Sequence, residues 1–165
     1  MKEQLFLVLA MSLPLFAQLK KLALLAVLAL GFLPLAHAQT TYHQTATVQN
    51  KFGYPYLEAF GIPFDDGVEI NWLHVGACSG AYACWINYTV NGVGSGFISS
   101  SPPVWGPNVT STNQYGTCTL PGSIHVGFPG GTYDADLVNT YVPWTGRGSH
   151  PGCRTQVVSG TLVLN

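Results

Sequence analysis

Val68-Glu-Ile-Asn-Trp72 and Trp85-Ile-Asn-Tyr-Thr-Val90, the second followed by Asn91-Gly92, decide the fold class. In the first run apolar and polar side chains alternate. A β-strand there sends Val68, Ile70 and Trp72 to one side and Glu69 and Asn71 to the other. The second run places Ile86, Tyr88 and Val90 on a common face. Successive strand side chains point to opposite sides, so this period of two marks half-buried strands. Asn91-Gly92 suits a tight hairpin turn, since both residues tolerate positive φ. Strand-borne Trp72 and Trp85 are expected to supply core aromatics. His74 continues the Trp72 face and reads as a hydrogen-bonded interior residue.

The same pattern recurs on either side. Thr40 to Gln49 alternates, with Tyr42, Ala46 and Val48 opposite His43, Thr45 and Thr47. Ile124, Val126 and Phe128 form another inward set and leave His125 outward. Thr155 to Leu164 is a long closing strand rich in Val, Thr and Leu. Asp65-Asp66-Gly67, Pro129-Gly-Gly131 and Thr145-Gly-Arg-Gly-Ser149 punctuate these runs as turns. Ser99 to Pro107 reads as a loop stiffened by three prolines, which fix φ and remove donors. After residue 38 no stretch has a helical period with caps, and no internal repeat is visible. The expectation is an all-β domain, an antiparallel sandwich or barrel of roughly six to eight short strands.

Ahead of this region lies an export signal. Lys20-Lys21 precedes an unbroken apolar run from Leu22 to Leu33, and Ala36-His37-Ala38 supplies the small residues a signal peptidase accepts. The apolar run is too short for a spanning helix, which needs about 18 residues or more. Residues 1–38 are therefore expected to be a signal peptide cleaved before Gln39, leaving no stable membrane span. Residues 5–19 are also apolar, and translation from Met11 is the plainer account of them. Residues 39–165 form the expected secreted domain, extracellular or periplasmic. Of its ionisable side chains, Lys51, Arg147 and Arg154 oppose Glu58, Asp65, Asp66, Glu69, Asp134 and Asp136, a net charge of −3 with His neutral. With no basic patch, nucleic acid is excluded as a partner class.

Cys78, Cys84, Cys118 and Cys153 are an even set in an exported chain and imply two disulfides. Of the three possible pairings the favoured one is Cys78–Cys84, closing a small loop with Tyr82 at its tip, and Cys118–Cys153, tying the last strand to mid-domain. The spacing matches no usual zinc finger.

Candidate chemistry is sparse. His125 and His150, with Arg147 to hold an anionic group, would make an acid–base site if the fold brought them together. Asp134 and Asp136 would share a strand face and offer oxygen ligands to calcium, though turn and strand-edge acids are common. No cofactor is expected: there is no phosphate loop, dinucleotide fingerprint or nucleophile elbow. Aromatic residues are in excess. Trp105 and Trp144 sit in Pro/Gly contexts, and with Tyr82 they are the expected ligand-binding residues, since rigid loops presenting rings can stack on a sugar or fill a protein pocket. Folded back, the same rings would cover the sandwich ends. Asn87-Tyr-Thr89 and Asn108-Val-Thr110 are glycosylation sequons. The expected function is a secreted, non-enzymatic domain binding a surface glycan or a cell-surface protein. The alternatives are a small hydrolase using the histidines and a protease-inhibitor-like module presenting the Cys78–Cys84 loop.

Overall fold

The computed structural model describes residues 38–49, 57–76, 84–99, 102–147 and 149–165. The expected signal peptide up to His37, the Met11 start, Cys78 and Tyr82 lie outside them. Ala38–Asn165 forms one unit by its internal contacts.

The fold is all-β and antiparallel. The described residues carry twelve strands: β1 Thr40–His43, β2 Val48–Gln49, β3 Leu57–Pro63, β4 Val68–Val75, β5 Cys84–Val90, β6 Val93–Ser99, β7 Val104–Trp105, β8 Asn108–Asn113, β9 Gly116–Pro121, β10 Ser123–Phe128, β11 Gly131–Val142 and β12 Gly152–Leu164. That exceeds the expected six to eight. The Thr40–Gln49 run is broken into two strands, the proline-stiffened loop contains β7, and β8 and β9 carry Thr, Ser and Asn where an aliphatic alternation would have announced strands. A six-stranded sheet runs β1-β12-β11-β10-β7, with β2 also pairing with β12. A four-stranded sheet runs β3-β4-β5-β6, and β8-β9 is a separate hairpin. The Asn91-Gly92 turn closes β5 on β6 with φ of 51° and 79°, the doubly positive geometry the dipeptide predicts.

One hydrophobic core unites the inner faces of the two larger sheets. Leu57, Ile62, Ile70, Leu73 and Ile86 from one meet Ile124, Val126, Tyr133, Leu137 and Leu162 from the other. This is a sandwich, in which each sheet hides one face and shows the other. Tyr133 is wholly buried; burial pushes its phenol well above the usual tyrosine range, and its hydroxyl donates to Gln44 Oε1 at 3.1 Å.

The hairpin is fixed to the far end of β11. Ser111 donates to the Asn139 carbonyl, Asn113 Nδ2 to Tyr141 O at 2.8 Å, and Cys118 is bonded to Cys153 at the start of β12. Buried Asn139 is satisfied on both sides: its amide donates to Pro121 O and its carbonyl oxygen accepts from Thr155 Oγ1. The Cys118–Cys153 bridge is as expected. Cys84 is also disulfide-bonded, while the Cys78 half of the second expected bridge lies outside the described residues.

The alternation that announces the strands changes phase inside each sheet. On β4, Val68 and Ile70 are buried, but the next buried residues are Leu73 and Val75. Pairing with β5 slips by one residue between Ile70 and Trp72, the mark of a β-bulge. On β3 the switch lies at Gly61, whose φ is 58°: Leu57 and Ala59 point inward before it and Ile62 after it. The two strands switch together, because Phe60 pairs with Trp72 and Ile62 with Ile70. Trp72 therefore points outward, correcting the core role expected of it, and His74 follows it. Trp85 is outward as well, because Cys84 and Ile86 take the inward positions of β5. On the large sheet, the pairing of β11 with β12 shifts between Asp136 and Leu137, so that Val158 and Ser159 are both exposed before inward alternation resumes at Leu162.

Candidate functional site

The phase switch builds an aromatic strip on the outer face of the four-stranded sheet. Phe60 and Trp72, register partners on β3 and β4, have ring centroids 6.3 Å apart and planes within 5°. Trp72 and Trp85 lie at 5.8 Å and 22°. His74 leans against Trp72 at 6.3 Å. Phe60 is 48% and Trp85 39% exposed, values uncommon for such large apolar side chains on a well-packed sheet. Trp72 Nε1 is shielded from solvent and meets no acceptor among the described residues. Polar neighbours border the strip: Asn71 Nδ2 donates to Asn87 Oδ1 at 3.1 Å, and Asn87 pairs in register with Trp72. Trp72 and Trp85 stand on strands paired on both sides and Phe60 on the edge strand β3, so their positions are fixed by the sheet and not by a mobile loop.

The residues expected to bind ligand are distributed differently. Trp144 follows β11 and is 65% exposed. Trp105, in β7, pairs with Ile124 and is half-buried against the core. Tyr82 lies outside the described residues. The expected histidine pair is not brought together. His125 is opposite Asp134 on β11, whereas His150 and Arg147 lie in the connection that leaves β11 after Val142. Eight residues of strand separate Asp134 from Val142, on the order of 25 Å. The antiparallel course of β11 and β12 puts that connection at the far end of the sheet from Asp134. Arg154 instead donates to the His150 carbonyl at 3.1 Å.

What His125 meets is a carboxylate. Its Nδ1 lies 2.7 Å from Asp134 Oδ1, and the two side chains are 46% and 54% exposed. They form part of a register row on the outer face of the six-stranded sheet, in which His125, Asp134, Thr161 and His43 stand opposite one another in turn. A second row brings Ser123, Asp136 and Ser159 together, with Ser159 Oγ donating to Asp136 Oδ2 at 2.6 Å. Asp134 and Asp136 do share a face, as expected. Both rows line a groove of about 460 Å³. Among the described residues, no group of three or more His, Cys, Asp or Glu side chains is arranged to hold a metal ion.

The strip escaped the sequence reading because period two, extrapolated through Asn71, put Trp72 on the wrong side. Gly61 inside an otherwise apolar run was the available signal, since an isolated glycine in a strand often marks a bulge. Among the described residues no helix is long and apolar enough to cross a membrane. No protein-family model matches this chain, nor does any curated protein or any solved structure.

Proposed function

We propose that this is an exported binding domain whose Phe60–Trp72–Trp85 strip takes the apolar face of a glycan. The observation that carries the reading is three near-parallel aromatic rings held on the open face of a sheet. Rings left partly in water forgo part of the roughly 1.5–3 kcal/mol that full burial of a large apolar side chain yields. The Trp72 indole N–H, which meets no acceptor among the described residues, adds a further cost. Features that lower stability without serving the core mark functional surfaces. Aromatic rings stack on sugar C–H faces, and the flanking Asn71–Asn87 amides can bond to ring hydroxyls. The Cys118–Cys153 bridge supports an oxidising compartment outside the cytosol.

Affinity electrophoresis through polysaccharide gels, followed by calorimetry with the oligosaccharide that retards the protein, tests this. Trp85→Ala and Phe60→Ala should each weaken binding about tenfold or more, the effect of losing an aromatic anchor, with the fold intact by circular dichroism. Unchanged affinity in both variants would refute the strip as the site. Retention on a protein partner, with no retardation by any glycan, would replace the ligand class and keep the surface.

A further inference from the structure

We infer that the groove on the outer face of the six-stranded sheet is a second binding site, selective for a non-anionic sugar presenting adjacent hydroxyls. The groove is separate from the aromatic strip, and several of its polar atoms are already occupied. Asp134 spends Oδ1 on His125 Nδ1, and Asp136 spends Oδ2 on Ser159 Oγ. Each carboxylate keeps its other oxygen as an acceptor. In neutral imidazole a carboxylate at 2.7 Å from Nδ1 favours the tautomer protonated there, and Nε2 is then a further acceptor. Ser159, donating to Asp136, retains its lone pairs. The groove therefore presents several acceptors, and Lys and Arg are absent from its lining.

Acceptors in excess call for a ligand that brings donors, and two carboxylates repel a ligand carrying negative charge. Adjacent sugar hydroxyls meet both requirements. The volume, about 460 Å³, falls in the range of small-ligand sites. The cross-strand pairs also hold the side chains before the ligand arrives, which reduces the ordering cost of binding. The row spacing is set by the sheet: Asp134 and Asp136 are two residues apart on β11, about 7 Å. The bulge at Val158 keeps Ser159 beside Asp136 and Thr161 beside Asp134.

The test is a titration of the whole Gln39–Asn165 domain, followed by NMR, with three probes: mannotriose, a trimer of glucosamine and a trimer of galacturonic acid. Mannotriose should shift the signals of His125, Asp134, Asp136 and Thr161, and the uronate should shift none of them. Asp136→Ala should weaken mannotriose binding about tenfold. Asp134→Asn should do the same and also change the His125 ring signals. If either aspartate variant fails to fold, Ser159→Ala serves in its place, with a loss of about threefold expected. Binding of the glucosamine trimer alone would overturn the proposal in favour of a carboxylate–ammonium site. Shifts confined to Phe60, Trp72 and Trp85, or equal affinity in the groove variants, would overturn it outright.

Discussion

The two sheets share one core and turn very different faces outward. The four-stranded sheet shows stacked rings; the six-stranded sheet shows a polar lattice of His125, Asp134, Asp136, Ser159 and Thr161. Both faces depend on a local break in alternation, at Gly61 and Asn71 in one and at Val158 in the other. A one-residue slip moves every following side chain to the opposite side of a strand. The core tolerates the break because aliphatic residues resume on the inward side: Leu73 and Val75 after the first, Leu162 after the second. The bulges thus decide what each sheet offers to solvent while leaving the interior filled.

The sharpest way to break this comparison is to truncate adjacent residues on β4. Leu73 is fully buried, so Leu73→Ala should cost in the upper half of about 2–5 kcal/mol. Trp72→Ala, despite the larger side chain, should cost only about 1–2 kcal/mol, because it removes stacking on an outer face. Urea unfolding of both variants would settle the order, and a reversed order would return Trp72 to the core.

Replacing Cys118 and Cys153 together by Ala should cost about 3–4 kcal/mol, since the bridge closes a loop of sequence separation 35. The loss should fall on the end of the molecule where the hairpin meets β11 and leave the aromatic strip alone. Indole NMR signals of Trp72 and Trp85, unchanged in the folded double variant, would show that the two regions are independent.

Gly61→Ala isolates the phase switch. A Cβ there meets only Glu69 Oε1, at 3.8 Å, so space is available and the cost is that of a left-handed backbone, about 1–2 kcal/mol. A neutral result in thermal melts would mean the switch does not need glycine.

Alkaline titration probes the inner side of the large sheet. Tyr133 holds its proton in the folded state to a higher pH than in the unfolded chain. The unfolded state therefore binds fewer protons above pH about 10, and stability should fall there by about 1.4 kcal/mol per pH unit. Tyr133→Phe should flatten that limb in denaturant melts at pH 9 to 11; an unchanged slope would assign it to other groups. The smallest effect is expected at the exposed His125–Asp134 pair. His125→Ala should change stability by about 0–1 kcal/mol, and a larger loss in calorimetric melts would give the pair a structural role.

Much of the fold was legible in particular residues. Asn91-Gly92 named its hairpin, Ile124, Val126 and Phe128 named an inward face, and Cys118 and Cys153 were paired as the structure pairs them. The hairpin of β8 and β9 was not legible. Its Thr110–Thr119 and Thr112–Thr117 pairs face solvent, so no strong apolar alternation exists to be read. The candidate sites were legible only in fragments: Asp134 and Asp136 on a common face, His125 outward, and an excess of aromatic residues.

The sequence by itself determined the antiparallel all-β class and pointed to disulfides, because alternation, turn dipeptides and an even set of cysteines are local or countable signals; which of the three possible pairings puts Cys118 with Cys153 was decided by the fold. It also placed the export signal as an expectation. Tertiary structure alone decided which residues meet. His125 found Asp134 and not His150, since antiparallel pairing carries the connection holding His150 to the far end of β11. Trp72 became surface, since register and a left-handed glycine set the phase of β3 and β4 relative to the core, whereas Trp85 stands opposite Ile86 and Tyr88 in the regular alternation of its own strand. Phase depends on pairing between strands distant in sequence, and no single-strand pattern contains that information.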